Sequence, residues 1–126
     1  MFKLKIQTDP LPAFMKTVNS NEILLSLTEG IFSIPMAEIV RLEARNNYTL
    51  FYFMNRKPLL SARVLRIYER LLQPHGFIRT HRSHLVNKQH IITADEELTG
   101  VFTHKGRACV SRRKKNQVSA VLNTIV

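Results

Sequence analysis

The sequence predicts a mainly β domain of small antiparallel sheets made from short hairpins, with two short helices. Apolar and polar residues alternate with period two over residues 40–45, and a run rich in β-branched and aromatic residues, 48–54, follows a pair of asparagines. Only two stretches, near residues 64–72 and 118–125, carry the three- and four-residue spacing of an amphipathic helix. With 126 residues and 44% hydrophobic content, the chain is long enough for one compact core and too short for two.

Taken in order, residues 1–20 contain Pro10 and Pro12 and are expected to form an N-terminal strand and loop extension, with the domain proper at 21–126. Residues 22–27 and 31–34 flank Thr28, Glu29 and Gly30, which predicts a hairpin. Val40, Leu42 and Ala44 then alternate with Arg41, Glu43 and Arg45; Asn46 and Asn47 tolerate left-handed backbone, so 40–54 reads as a second hairpin. Val64, Leu65, Tyr68, Leu71 and Leu72 share one helical face, with Arg63, Arg66, Glu69 and Arg70 opposite, and Pro74 and Gly76 end the run. In residues 77–91, Phe77, Ile78, Leu85, Val86 and Ile91 are apolar anchors around a turn at His81 and Arg82, and Asn87 is expected to cap or brace it. Residues 98–103 and 107–110 flank His104, Lys105 and Gly106 and predict a third hairpin; Val118, Val121, Leu122 and Ile125 form the stripe of a final helix. The two helical stretches are separated by strands and loops, so no helix-turn-helix pair is expected.

Charge points to a polyanionic partner. Nineteen Lys and Arg against nine Asp and Glu give a net charge of +10 and a pI near 10.4, which favours nucleic acid without fixing a fold. The cations are unevenly placed: residues 98–126 hold six basic side chains and no acid, just after the compact acidic turn Asp95, Glu96 and Glu97. No apolar run is long enough to span a bilayer and no leader pattern is visible, so a cytoplasmic protein with no membrane partner is expected. The single Cys109 cannot form an internal disulfide and reads as a small buried hydrophobe. Arg112, Arg113, Lys114 and Lys115 sit where the last helix begins, against the helix dipole. An anion bound there would explain their placement, since helix N-termini offer free N–H groups to phosphate.

The segment 77–91 holds His81, His84, His90, Arg79, Arg82 and Lys88 and no acid. A metal site is disfavoured, because residues 76–94 contain no Asp, Glu or Cys and one cysteine cannot build a thiolate site. No carboxylate pair or base-activated nucleophile is apparent, so neither an enzyme nor a cofactor is expected. One alternative is an RNA- or single-strand-binding β domain with Tyr48, Phe51, Tyr52 and Phe53 as a stacking platform. Four neighbouring aromatics on one strand cannot all face outward, so core packing is the expected role of most.

Three blocks carry a family resemblance: Ile-Val-Arg-Leu-Glu-Ala-Arg-Asn-Asn-Tyr at 39–48, Phe-x-Arg-x-His-Arg-Ser-x-x-Val-Asn at 77–87 followed by Ile91, and Lys105-Gly106 with Val-Ser-Arg-Arg at 110–113. From about Asn21 to Leu122 the chain resembles the LytTR family of bacterial DNA-binding domains found in response regulators of two-component systems. The resemblance implies a transcription regulator whose loops enter successive major grooves of promoter DNA, reading imperfect direct repeats and bending them. Two copies on one repeat, and hence a homodimer on DNA, follow from that mode. By motif position the reading loops correspond to Asn46, Asn47 and Tyr48, to His81 and Arg82, and to Arg112 and Arg113. Arginine suits a guanine edge and asparagine an adenine edge, while Arg45, Arg79, Lys88, Lys105, Lys114 and Lys115 are candidates for phosphate contact. Family members commonly follow a receiver domain, and the residues before the match are too few for one. Either the protein stands alone, regulated by its abundance, a partner or a ligand in place of a receiver, or the chain is a fragment.

Overall fold

The structure, a computed structural model, describes residues 15–17 and 21–125. Expectations for residues 1–14 and 18–20, and for the side chain of Ile125, lie outside the described residues. Three antiparallel sheets stack with a central one in the middle. Strands β1 (Met15–Thr17), β2 (Glu22–Leu27) and β3 (Gly30–Pro35) make the first sheet, in that order. The central sheet contains β4 (Ile39–Arg45), β5 (Tyr48–Phe53), β6 (Leu59–Ser61), β7 (Phe77–His81) and β8 (His84–Asn87) in the order β6-β5-β4-β8-β7. The last sheet is β11 (Gly106–Cys109), β10 (Gly100–Thr103) and β9 (Thr93–Ala94). Helix α1 (Leu65–Leu72) links β6 to β7, and α2 (Lys115–Ile125) ends the chain.

Period-two alternation gives the central sheet two buried faces, each with its own core. On one face Ile39, Leu42, Phe51, Phe53, Phe77 and Leu85 pack with Ile23, Leu25 and Ile34 of the first sheet and with Leu65, Tyr68 and Leu72 of α1. On the other face Ile78, Val86 and Ile91 pack with Val101, Ala108 and Val110 of the last sheet and with Val118 of α2. The anchors predicted in 77–91 therefore divide between the cores: Phe77 and Leu85 face one way, Ile78 and Val86 the other.

The expected hairpins and helices are present, with four adjustments. Val64, expected on the apolar face of the first helix, precedes α1 as its extended N-cap and is 41% exposed. The third hairpin starts at Gly100 rather than residue 98, because Leu98 has left-handed backbone (φ 55°) and belongs to the preceding turn. The short strands β6 and β9 had no sequence signal. Cys109 is half-buried rather than buried, its Sγ within 3.5 Å of an Arg107 Nη1 donor. Asn87 is buried, but it serves the end of β8 opposite the His81–Arg82 turn and does not brace that turn: its Nδ2 donates to the Ile39 carbonyl (2.9 Å), and its Oδ1 accepts from the Gln89 amide (3.0 Å) to cap the 3-10 turn Lys88–His90. The helical run ends in a 3-10 turn, Gln73–His75, and a left-handed Gly76 (φ 93°).

Candidate nucleic-acid interface

Antiparallel pairing sets two hairpin turns side by side. The β4–β5 hairpin closes at Arg45 opposite Tyr48, and the β7–β8 hairpin at His81 opposite His84. Because β4 pairs with β8 through Glu43 opposite His84, both turns lie at the same end of the central sheet. The Ala44 amide joins them directly by donating to the Ser83 carbonyl (2.9 Å). The third predicted segment reaches the same end by another route. Thr80 Oγ1 donates to the Cys109 carbonyl (2.8 Å) and the Ser111 amide to the Thr80 carbonyl (2.8 Å), so the 3-10 turn Arg112–Lys114 starts beside the end of β7. Asn46, Asn47, Tyr48, His81, Arg82, Arg112 and Arg113 are thus brought together. All are exposed except His81, which is half-buried.

The two turns are built differently. Asn46 adopts left-handed backbone (φ 57°), a conformation that asparagine tolerates better than most side chains. Around the β7–β8 turn the bonds come from side chains. His81 Nδ1 accepts from the Ser83 amide (3.1 Å), which places a neutral ring's proton on Nε2. Arg79 Nε donates to the His81 carbonyl (2.8 Å) and Nη2 to the Arg82 carbonyl (2.6 Å), while Nη1 pairs with Glu69 of α1.

Behind the turns, a polar network occupies the face opposite Leu42. Glu43 accepts from Arg41 and from Arg45, each at 2.8 Å. Burial works to raise the Glu43 carboxyl, but the hydrogen bonds from Arg41 and Arg45 outweigh it and hold the group below its ordinary range. Arg41 is buried; its guanidinium lies 4.0 Å from the Tyr52 ring centroid and its Nε donates to the Lys105 carbonyl (2.7 Å). That bond fixes the β10–β11 turn, where Gly106 (φ 98°) brings its backbone so near Arg41 that a Cβ would sit 3.0 Å from the guanidinium. His84 lies beside Glu43, and its Nδ1 has no hydrogen-bond partner among the described residues. Burial, reinforced by Arg41, His81 and Arg107 against the opposing pull of Glu43, pushes its pKa down to about 4.

The phosphate candidates separate by position. Arg45 is exposed at the β4–β5 turn, although its Nε is paired with Glu43. Lys105 is half-buried at the β10–β11 turn, and Lys114 and Lys115 follow Arg113. Arg79 is engaged beneath its turn and only 15% exposed. Lys88 follows β8 at the end opposite His84, with its amide donating to the Gly76 carbonyl (2.9 Å). Sequence reasoning missed Glu69 and Ser83 as partners of the turn and Arg41 as a structural brace. None of these contacts has a periodic signature.

Of the four aromatics considered for a stacking platform, Phe51 and Phe53 are fully buried with ring centroids 6.0 Å apart, Tyr52 lies under Arg41, and Tyr48 is 45% exposed. Among the described residues no group of three or more His, Cys, Asp or Glu is placed to hold a metal, and no helix is long and apolar enough to cross a membrane. Asp95, the first acid of the acidic turn, accepts from the Thr99 hydroxyl and amide and then from Arg107, which together hold its carboxyl below the usual range.

No curated protein matches the chain. Among solved structures it is similar to the LytTr DNA-binding domain of a Bacillus cereus protein described as a methyl-accepting/DNA response regulator, with 27% identity and a TM-score of 0.66 over 82% of this chain and 98% of that one. The family model described as the LytTr DNA-binding domain matches residues 29–123, which include both hairpin turns and the Arg112–Lys114 segment, and the chain therefore belongs to the LytTR family of DNA-binding domains.

Proposed function

We propose that this DNA-binding domain is a transcription regulator that reads promoter duplex sequence through its turns in the major groove. The observation that carries the reading is the convergence of the β4–β5 turn, the β7–β8 turn and the Arg112–Lys114 segment at one end of the domain, with Arg82, Arg112 and Arg113 exposed there. Arginine offers a bidentate fork for a guanine edge and asparagine for an adenine edge, so Arg82, Arg112 and Arg113, with Asn46 and Asn47, are assigned to base contact. Tyr48 and His81 flank those contacts. Arg45, Lys105, Lys114 and Lys115 are assigned to phosphates; Lys88, at the other end of β8, is not. Membership of the LytTR family implies loops in successive major grooves, so a direct repeat read by two copies is the expected operator, and a cytoplasmic regulatory partner is the expected source of control. The burial of Phe51 and Phe53 favours duplex over single-strand binding, since the strand's aromatics do not form one exposed platform.

The test is selection from a random duplex library with the purified chain, followed by titration of the enriched site against scrambled duplex and single-stranded RNA at two salt concentrations. Enrichment of a compact motif, repeated about one helical turn apart, is the expected result. Binding without enrichment, or preference for the single strand, would reduce the basic end to an electrostatic role.

A further inference from the structure

We propose that Arg79 is a positioning residue for DNA reading, shaping the β7–β8 turn from beneath and tying it to helix α1 through Glu69, rather than touching DNA. The proposal rests on the DNA-reading function above. Its geometry is specific. Pairing of β7 with β8 slips between Arg79 and His81, so the ladder is irregular where the turn begins. The guanidinium of Arg79 fills the space under that irregularity: Nε reaches the His81 carbonyl, Nη2 the Arg82 carbonyl and Nη1 the Glu69 carboxylate. Three acceptors in three directions match the planar, five-donor fork of arginine, and a lysine ammonium cannot span them in the same way.

The same bonds separate Arg79 from the phosphate-binding cations. To contact a phosphate it would have to leave the exposed Arg82 carbonyl and also the Glu69 carboxylate and the His81 carbonyl, which would stay behind unsatisfied in a partly buried site. Its two carbonyl acceptors belong to His81 and Arg82, the residues assigned to this turn's reading. Moving the guanidinium therefore moves the backbone that aims Arg82. Glu69 extends the tie to a helix whose other face, Leu65, Tyr68 and Leu72, is in the core. The turn is thereby referenced to the rigid part of the domain and not only to its own hairpin.

Arg79→Lys keeps the charge and removes the fork; Glu69→Gln keeps an acceptor and removes the ion pair, and serves as the milder variant if the first folds poorly. Three readouts are taken with the full chain: the affinity ratio between the selected duplex and a scrambled one, the salt slope of binding, and amide hydrogen exchange of Ser83 and Ala44 without DNA. For Arg79→Lys the ratio is expected to fall about tenfold, as when a base-reading side chain is removed. The slope should be unchanged, and exchange at Ser83 and Ala44 should accelerate about tenfold as local opening becomes easier. Glu69→Gln should change ratio and exchange in the same direction by less. A slope lowered by about one unit with the ratio intact would make Arg79 a phosphate contact and overturn the proposal. So would an Arg79→Lys ratio equal to that of the wild type. If the wild type discriminates no duplex, the DNA-reading function fails by itself; Ser83 exchange then decides the brace alone, and unchanged exchange refutes it.

Discussion

The two hairpin turns at the basic end stand side by side, linked by the Ala44–Ser83 hydrogen bond, yet they hold their shapes by opposite means. The β4–β5 turn is local: Asn46 supplies left-handed backbone, and the regular Arg45–Tyr48 pair closes the hairpin. The β7–β8 turn is supported from outside its own four residues by Arg79, by Glu69 of α1 and by the Ala44 amide. A turn made locally survives changes elsewhere in the domain, whereas a braced turn inherits the stability of whatever braces it. The two should therefore respond differently to acid, to truncation and to backbone substitution.

Acid should give the largest effect, and on the braced side. His84 follows that turn directly, and its folded pKa of about 4 lies below the ordinary 6.5. Between those values the unfolded chain takes up a proton that the folded chain refuses, so stability falls as pH drops from 6.5 to 4 and this contribution is constant below 4. At about 1.36 kcal/mol per unit the decrease is roughly 2–3 kcal/mol, allowing for the partial exposure of the ring. Urea denaturation at pH 7, 5.5 and 4 should show it, and His84→Gln should flatten that part of the curve. Equal pH dependence in variant and wild type would exclude His84 as the source. Hydrogen exchange at pH 5 should rise at Ser83 before it rises at Asn47.

Truncation of a reading side chain comes next. Arg82→Ala should cost about 1–3 kcal/mol on the selected duplex and relax preference at one base position. Arg82 is exposed and its side chain has no role in the brace, so the melting temperature should hardly move. Arg113→Ala should behave alike. Equal effects on selected and scrambled duplexes would show that these arginines serve only as charges.

Backbone substitution should reverse the preference and strike the local turn. Asn46→Val places a β-branched residue at φ 57° and should destabilise by about 1–2 kcal/mol, whereas Asn46→Gly removes the steric penalty. Thermal melts of the two variants give the comparison. If valine is tolerated as well as glycine, the turn does not depend on left-handed backbone.

The same contrast explains what could be read in advance. Asn46-Asn47 between alternating strands declares a hairpin because its cause lies within a few residues, and Leu65, Tyr68 and Leu72 turn inward on α1 as their spacing requires. Strands β6 and β9 have three and two residues, too few to establish a period, and exist because β5 and β10 offer them an edge. At the basic end, motif position assigned Arg82 to reading and Arg79 to a phosphate, but residue type gave no sign that Arg79 is engaged within the domain. Both are cations three positions apart on one segment, and only the fold reveals that Arg79 has a carboxylate from α1 beside it. Lys88 belongs to the same basic segment yet lies at the far end of β8, because a strand carries its two ends to opposite edges of a sheet.

The third segment is tied to β7 where it begins, through the Ser111 amide and the Thr80 carbonyl, but its helix start lacks a side-chain cap, which leads to the smallest and most diagnostic effect. Ser111 provides no side-chain cap, and Arg112, Arg113, Lys114 and Lys115 crowd the start of the final helix, where cations oppose the dipole. Replacing Lys114 or Lys115 by alanine should therefore stabilise the free domain by a few tenths of a kcal/mol, up to about 1. On DNA the sign should invert: binding weakens on all sequences alike, and the salt slope falls by about one unit for each phosphate that is no longer neutralised. Thermal melts and salt titrations on the same variants give both numbers. A stability gain with an unchanged slope would place the lysine off the DNA, leaving its position unexplained. Opposite signs would mean that this end of the domain keeps a locally unfavourable arrangement because a phosphate completes it.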